Sequence, residues 1–269
     1  MIVAGHGTPL LLIPGIHGRW EWMRPTVDAL ARRLRVAAYS LPGEPENVPP
    51  FAARSFDDLV RQALNVMTRA GMRQAAVCGT SYGGLIAAAL AARAPDRVSA
   101  LILVSALPPD FEPDDRIRRC AEHPLLMAPA FLAGAPGRAL PEIRRARPRD
   151  WVRCALGMGL EAVRAPQSPV RMASRLRLLH GQDLVAECRR ITVDTLVLTG
   201  DDDLDLVVPP ALSRRYLRLI PGARHECCAG TGHFGLVTRP DDFAARVQHF
   251  IHTRRHHDDN AAAIAQRLQ

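Results

Sequence analysis

The 269-residue chain has no lysine at all. All 35 of its basic residues are arginine, against 27 acidic ones, for a formal charge of +8 and an isoelectric point near 9.9. Uniform use of one cation points to coding bias rather than to a selected surface, so bulk charge does not by itself make a nucleic-acid binder. Aromatic residues are also scarce, at 5%. The clusters Arg116, Arg118, Arg119 and Arg144, Arg145, Arg147, Arg149 could attract acidic substrates or anionic lipid, but they lack the interleaved rings on which bases stack. Long apolar runs are missing: none approaches the ~20 residues needed to cross a bilayer. No charged-then-apolar leader opens the chain, so the expectation is a soluble, cytoplasmic protein with no membrane span and no nucleic-acid partner. The six cysteines, Cys78, Cys120, Cys154, Cys188, Cys227 and Cys228, show no CxxC pair or repeating spacing. A disulfide framework or structural zinc site is therefore not expected, and buried free thiols are.

What is present is a rhythm. Leu10 to Ile13 is followed by a helical pattern over Trp22 to Arg33, Val36 to Tyr39 by Ser55 to Ala70, and Ala75 to Cys78 by Tyr82 to Arg93; Val98 to Val104 then ends in Ser105. Short apolar runs alternating with helices specify an α/β fold with a mostly parallel sheet flanked by helices. Only Met1 to Ala4 precedes the turn Gly5 to Pro9, so any N-terminal hairpin is shortened. From about Leu107 to Arg190 the rhythm breaks: prolines are dense, no strand is evident, and Asp150 to Leu160 and Val170 to Leu179 read as amphipathic helices. The expected organisation is one core domain, 1–106 with 191–269, interrupted by a helical cap at 107–190. The rhythm resumes with Thr195 to Thr199, a helix Pro210 to Leu219, a short strand Arg224 to Cys227 and a last helix Asp241 to Thr253.

The chemistry sits where one strand meets one helix. Gly79-Thr80-Ser81-Tyr82-Gly83 spells GxSxG between the apolar run Ala75 to Cys78 and an Ala/Leu-rich helix, the context of a nucleophile elbow. A serine hydroxyl needs an imidazole to take its proton and a carboxylate to hold that imidazole. Among ten histidines, His233 lies in a glycine-rich loop beyond the last strand. His225 reads as a strand residue, and His256 and His257 fall in a polar tail. The loop after Thr195 to Thr199 offers four carboxylates: Asp201, Asp202, Asp203 and Asp205.

These segments, with Leu11-Leu12-Ile13-Pro14-Gly15-Ile16 ahead of them, resemble an α/β-hydrolase-fold serine hydrolase over nearly the whole chain. The resemblance implies a cofactor-independent, metal-free enzyme using Ser81 as nucleophile and His233 as base. In that family the acid stands just before a short apolar step ending in proline. Counting back from Val207-Val208-Pro209 selects Asp205, and counting forward from Gly200 selects Asp203; Asp205 is preferred because it keeps the apolar step intact. The oxyanion hole is expected from the backbone N–H groups of Ile16 and Tyr82, with Pro14 standing where the family usually has histidine. His17 and Trp20 are candidate substrate contacts, and Trp20 and Trp22 equally candidate anchors for the cap. The expected reaction is cleavage of a carboxylic ester or related acyl bond in a small molecule. The alternatives are lactone, thioester or carbon–carbon hydrolysis, or a small-molecule-binding protein on the same scaffold. Oligomeric state is not legible.

Overall fold

The computed structural model describes residues 1–45 and 52–267, with side chains described as far as Thr253; His256 and His257 lie outside the described side chains. Seven strands form one sheet in the order β1-β3-β2-β4-β5-β6-β7. The strands are β1 (Ile2–Ala4), β2 (Thr8–Ile13), β3 (Leu34–Ala38), β4 (Ala75–Thr80), β5 (Val98–Val104), β6 (Thr195–Thr199) and β7 (Arg224–Cys227). All pairings are parallel except that of β1, a short edge strand antiparallel to β3.

Residues alternate between two apolar layers, as the pleat requires. Leu11, Ile13, Ala37 and Val77 face helices α2 (Phe56–Arg69) and α3 (Tyr82–Arg93). Leu10, Leu12, Val36, Ala38 and Cys78 face α1 (Arg24–Ala31) and α12 (Pro240–Arg267). Burial on both sides makes the central strands continuous apolar runs.

The expected helices differ at their ends for local reasons. The pattern starting at Trp22 opens as a 3-10 turn, Trp20–Met23, and becomes α1 only at Arg24, with Pro25 supplying a helical φ in its first turn. Ser55 begins α2 through a capping box with Asp58. The single helix expected over Pro210 to Leu219 is two turns, α10 (Pro210–Ser213) and α11 (Tyr216–Leu219), because Arg215, Leu217 and Arg218 bond to carbonyls three residues back rather than four.

Between β5 and β6 lie α4 (Asp115–Glu122), α5 (Pro124–Ala133), α6 (Ala135–Ala146), α7 (Trp151–Arg164), α8 (Pro169–Arg177) and α9 (Leu184–Arg189). α9 packs on α3, and Leu184, Cys188 and Ile191 join the layer beneath α3. By packing, α9 thus belongs with the sheet rather than with the helices before it, although the expected cap ran to residue 190. α5 and α7 leave Leu125, Leu126, Leu132, Val152, Leu156, Leu160 and Val163 exposed.

The chain goes from β2 to β3 on one side and then returns to place β4 on the other side of β2. The strand order reverses between β2 and β4, and the crevice beyond the carboxyl ends of these strands is where open α/β sheets bind ligands. Residues 14–17 and Ser81 emerge there.

Candidate active site

Ser81 follows the last residue of β4 and has φ 52° and ψ −122°. A non-glycine residue in this region is strained, and the strain is imposed by neighbours that cannot move apart. A Cβ at Gly79 would stand 2.3 Å from the Gly83 carbonyl oxygen, and one at Gly83 would stand 2.4 Å from that of Pro14. Strand, turn and the loop after β2 therefore close on one another only because both positions lack side chains. Ser81 is 8% exposed, and its Cβ lies 3.3 Å from where a Gly15 Cβ would be.

Asp205 is the carboxylate that meets the loop histidine. His233 Nδ1 lies 3.3 Å from Asp205 Oδ2, while Oδ1 accepts the Val207 and Val208 N–H groups at 3.1 and 2.8 Å. Burial pushes the Asp205 carboxyl up, but His233, the Val208 amide and the Ser105 hydroxyl outweigh it and leave the group below its ordinary range. With Nδ1–H directed at the carboxylate, Nε2 of His233 is left as the acceptor. Asp203 is exposed. Asp202 pairs with Arg214, and Asp201 accepts the Gly230 N–H at 2.7 Å. His225 lies in β7 with Nε2 2.9 Å from Thr199 Oγ1.

Tyr82 opens α3, where the first N–H groups have no preceding turn to bond. Its side chain is fully buried, and its hydroxyl donates to the Arg175 carbonyl at 2.8 Å. Ile16 is in the adjacent loop, its carbonyl held by Arg175 Nη1 at 2.8 Å. His17 lies beside them, its Cδ2 3.6 Å from the same Gly15 point. Burial above all, then the charges of Arg175, His233 and Arg19, lowers the His17 pKa to about 3. Its Nδ1 accepts the Arg19 N–H at 3.2 Å, so the proton of the neutral ring is on Nε2. Trp20, expected as a substrate contact, is instead packed into the layer with Met23 and Leu236, and Arg24 lies 4.7 Å over its ring. Trp22 Nε1 donates to the Ala165 carbonyl, tying the end of α7 to the loop after β2.

Among the described residues, no group of His, Cys, Asp and Glu side chains could hold a metal ion, and no helix is long and apolar enough to cross a membrane. Among the described residues, two cavities stand out. One of about 510 Å3 is lined by Trp22, Arg147, Cys154 and Met158; the other, of about 840 Å3, lies beside Phe111 and His180. Neither is lined by Ser81 or His233.

The sequence model described as the alpha/beta hydrolase family matches residues 5–246. The chain belongs to the α/β-hydrolase family. A candidate carbamate hydrolase, RutD, of Azorhizobium caulinodans is 31% identical over 253 residues, covering 90% of each chain. The pimeloyl-[acyl-carrier protein] methyl ester esterase of Nitrosomonas europaea is 27% identical, with 90% of this chain and 94% of that protein aligned. The crystal structure of the enol-lactonase from Burkholderia xenovorans LB400 superposes with a TM-score of 0.75 at 24% identity, over 93% of this chain and 95% of that one.

Three buried polar side chains of this α/β hydrolase escaped the sequence reading. Ser105, at φ 39°, lies beside the Asp205 carboxylate, where its hydroxyl helps lower the carboxyl pKa. Arg175 of α8 binds Glu44 at 2.6 Å and the Pro42 and Ile16 carbonyls. Glu142 of α6 is wholly buried under the His233 loop. Ser105 and Arg175 leave no local pattern. Glu142 does leave one, a charge on the same helix face as buried Ile143 and Ala146.

Proposed function

We propose that this α/β hydrolase is a serine hydrolase that cleaves a carboxylic ester or related acyl bond through an acyl-enzyme, using Ser81, His233 and Asp205. The observation that carries the reading is the strained Ser81 at the strand-order reversal, with His233 oriented by a buried aspartate on a neighbouring loop. Asp205 accepts the Nδ1–H and fixes the tautomer, and Nε2 of His233 takes the Ser81 proton as the oxygen attacks the carbonyl carbon. The resulting oxyanion is met by the Tyr82 and Ile16 N–H groups, a contribution worth about 3 kcal/mol per donor. Protonated His233 then gives its proton to the leaving group, and a water deprotonated by the same ring cleaves the acyl-enzyme.

An ester and a carbamate both present a carbonyl carbon bearing a leaving heteroatom. The names carried by the Nitrosomonas and Azorhizobium relatives are therefore consistent with one mechanism, and a small acyl compound is the substrate class. Helices α4 to α8 form the cap in this reading, with α9 assigned to the core. A fluorophosphonate probe should label the wild type and fail to label Ser81→Ala, whose esterase kcat should fall at least ~1000-fold. Absence of labelling in folded wild type would leave ligand binding as the function of the scaffold.

A further inference from the structure

Glu142 is 0% exposed, in a chain with 35 arginines. Among the described residues no arginine forms an ion pair with it. Its oxygens instead accept the Phe234 N–H at 2.8 Å and the Thr238 hydroxyl at 3.1 Å, and the Gly232 amide beside it also favours its charge. Gly232 and Phe234 flank His233 directly, so one carboxylate bonds the backbone after the proposed base and packs closely against the backbone before it. The approach is close: a Cβ on Gly232 would stand 2.8 Å from Glu142 Oε2 and 2.4 Å from the Leu204 carbonyl oxygen. A buried carboxylate costs several kcal/mol in water lost. A helix face that needed only apolar packing beside Ile143 and Ala146 would not carry one.

We infer that Glu142 is a positioning residue for His233: α6 delivers a carboxylate that fixes the histidine loop from beneath and adds negative charge beside the ring. The inference rests on the Ser81, His233 and Asp205 reading. Burial raises the Glu142 pKa against the Phe234 and Gly232 amides, the Thr238 hydroxyl and the His233 charge, so the site holds this group at some cost. The other ionisable groups facing this region are Asp205 and His17 across the ring and Cys154 from α7. Arg147 and Arg239 also reach it, bonded to the Thr238 and Ala146 carbonyls.

The test is Glu142→Gln, which keeps volume and one acceptor but removes the charge. Its pH profile of 4-nitrophenyl acetate hydrolysis and its fluorophosphonate labelling rate are measured beside its Tm. Expected are a kcat about tenfold lower, a KM within about twofold, a Tm within a few degrees, and an acid limb moved to lower pH, because less negative charge supports the imidazolium. A rate and acid limb equal to wild type would overturn the inference, as would a rate loss that only follows a loss of folded protein. Should Glu142→Gln fail to fold, Thr238→Val removes one donor and should shift both readouts in the same direction by a smaller amount; a folded Thr238→Val with unchanged profile also overturns it. Wild type that does not label removes the triad reading itself, a result distinct from labelling that is insensitive to Glu142.

Discussion

One residue separates Asp203 from Asp205, yet the first is exposed and the second is locked by the amides of Val207 and Val208. The apolar step before Pro209 supplies the N–H donors that aim the Asp205 carboxylate. Asp205→Asn should lower kcat by ~1000-fold or more with little change in KM, through the wrong histidine tautomer, whereas Asp203→Asn should stay within about twofold in the same assay. Ser105 shows the limit of sequence reading. It meets Asp205 from the end of β5, a hundred residues away, and no local spacing encodes a contact made by sheet register. Trp20 shows another limit, since an aromatic near a loop has the same sequence signature whether it faces a pocket or a core.

Elements were legible where periodicity was long and hydrophobic, as in β4, α3 and β5, and less so where a few backbone bonds decide. The break at Arg214 to Arg215 follows from a shift to tighter bonds that no side-chain pattern announces. Close approach between elements was legible only as glycine. Gly83→Ala should destabilise by more than about 3 kcal/mol in urea unfolding, because the new methyl meets main chain rather than a movable side chain. The clamp from α8 acts likewise across elements. Arg175→Met should cost about 3 kcal/mol, leaving Glu44 buried with weaker partners, and the double variant with Glu44→Gln should recover part of that loss. A double-mutant cycle on chemical denaturation measures it.

At the scale of the whole molecule, acid works against the fold from two sides. Asp205 has a lowered pKa when folded, so its stabilisation is present above the ordinary carboxylate range and lost as pH falls through the folded value. His17 is held neutral down to about pH 3, whereas the unfolded chain takes up that proton near 6.5, so stability declines as pH falls across this window. His17→Gln should flatten the pH dependence of stability between those limits by on the order of 2 kcal/mol, read from urea midpoints at pH 7 and pH 4. The site geometry is held by backbone amides, buried acids and the Arg175 guanidinium. The two clamps on that geometry come from different helices of the proposed cap: α6 holds the base loop and α8 holds the loop of Ile16, while exposed apolar side chains sit on α5 and α7. In the proposed enzyme, substitutions along α5 and α7 should retune which molecules enter, whereas substitutions at Glu142 or Arg175 should slow turnover of every substrate alike. On that proposal, new preferences would evolve without touching the engine, provided these two residues stay fixed.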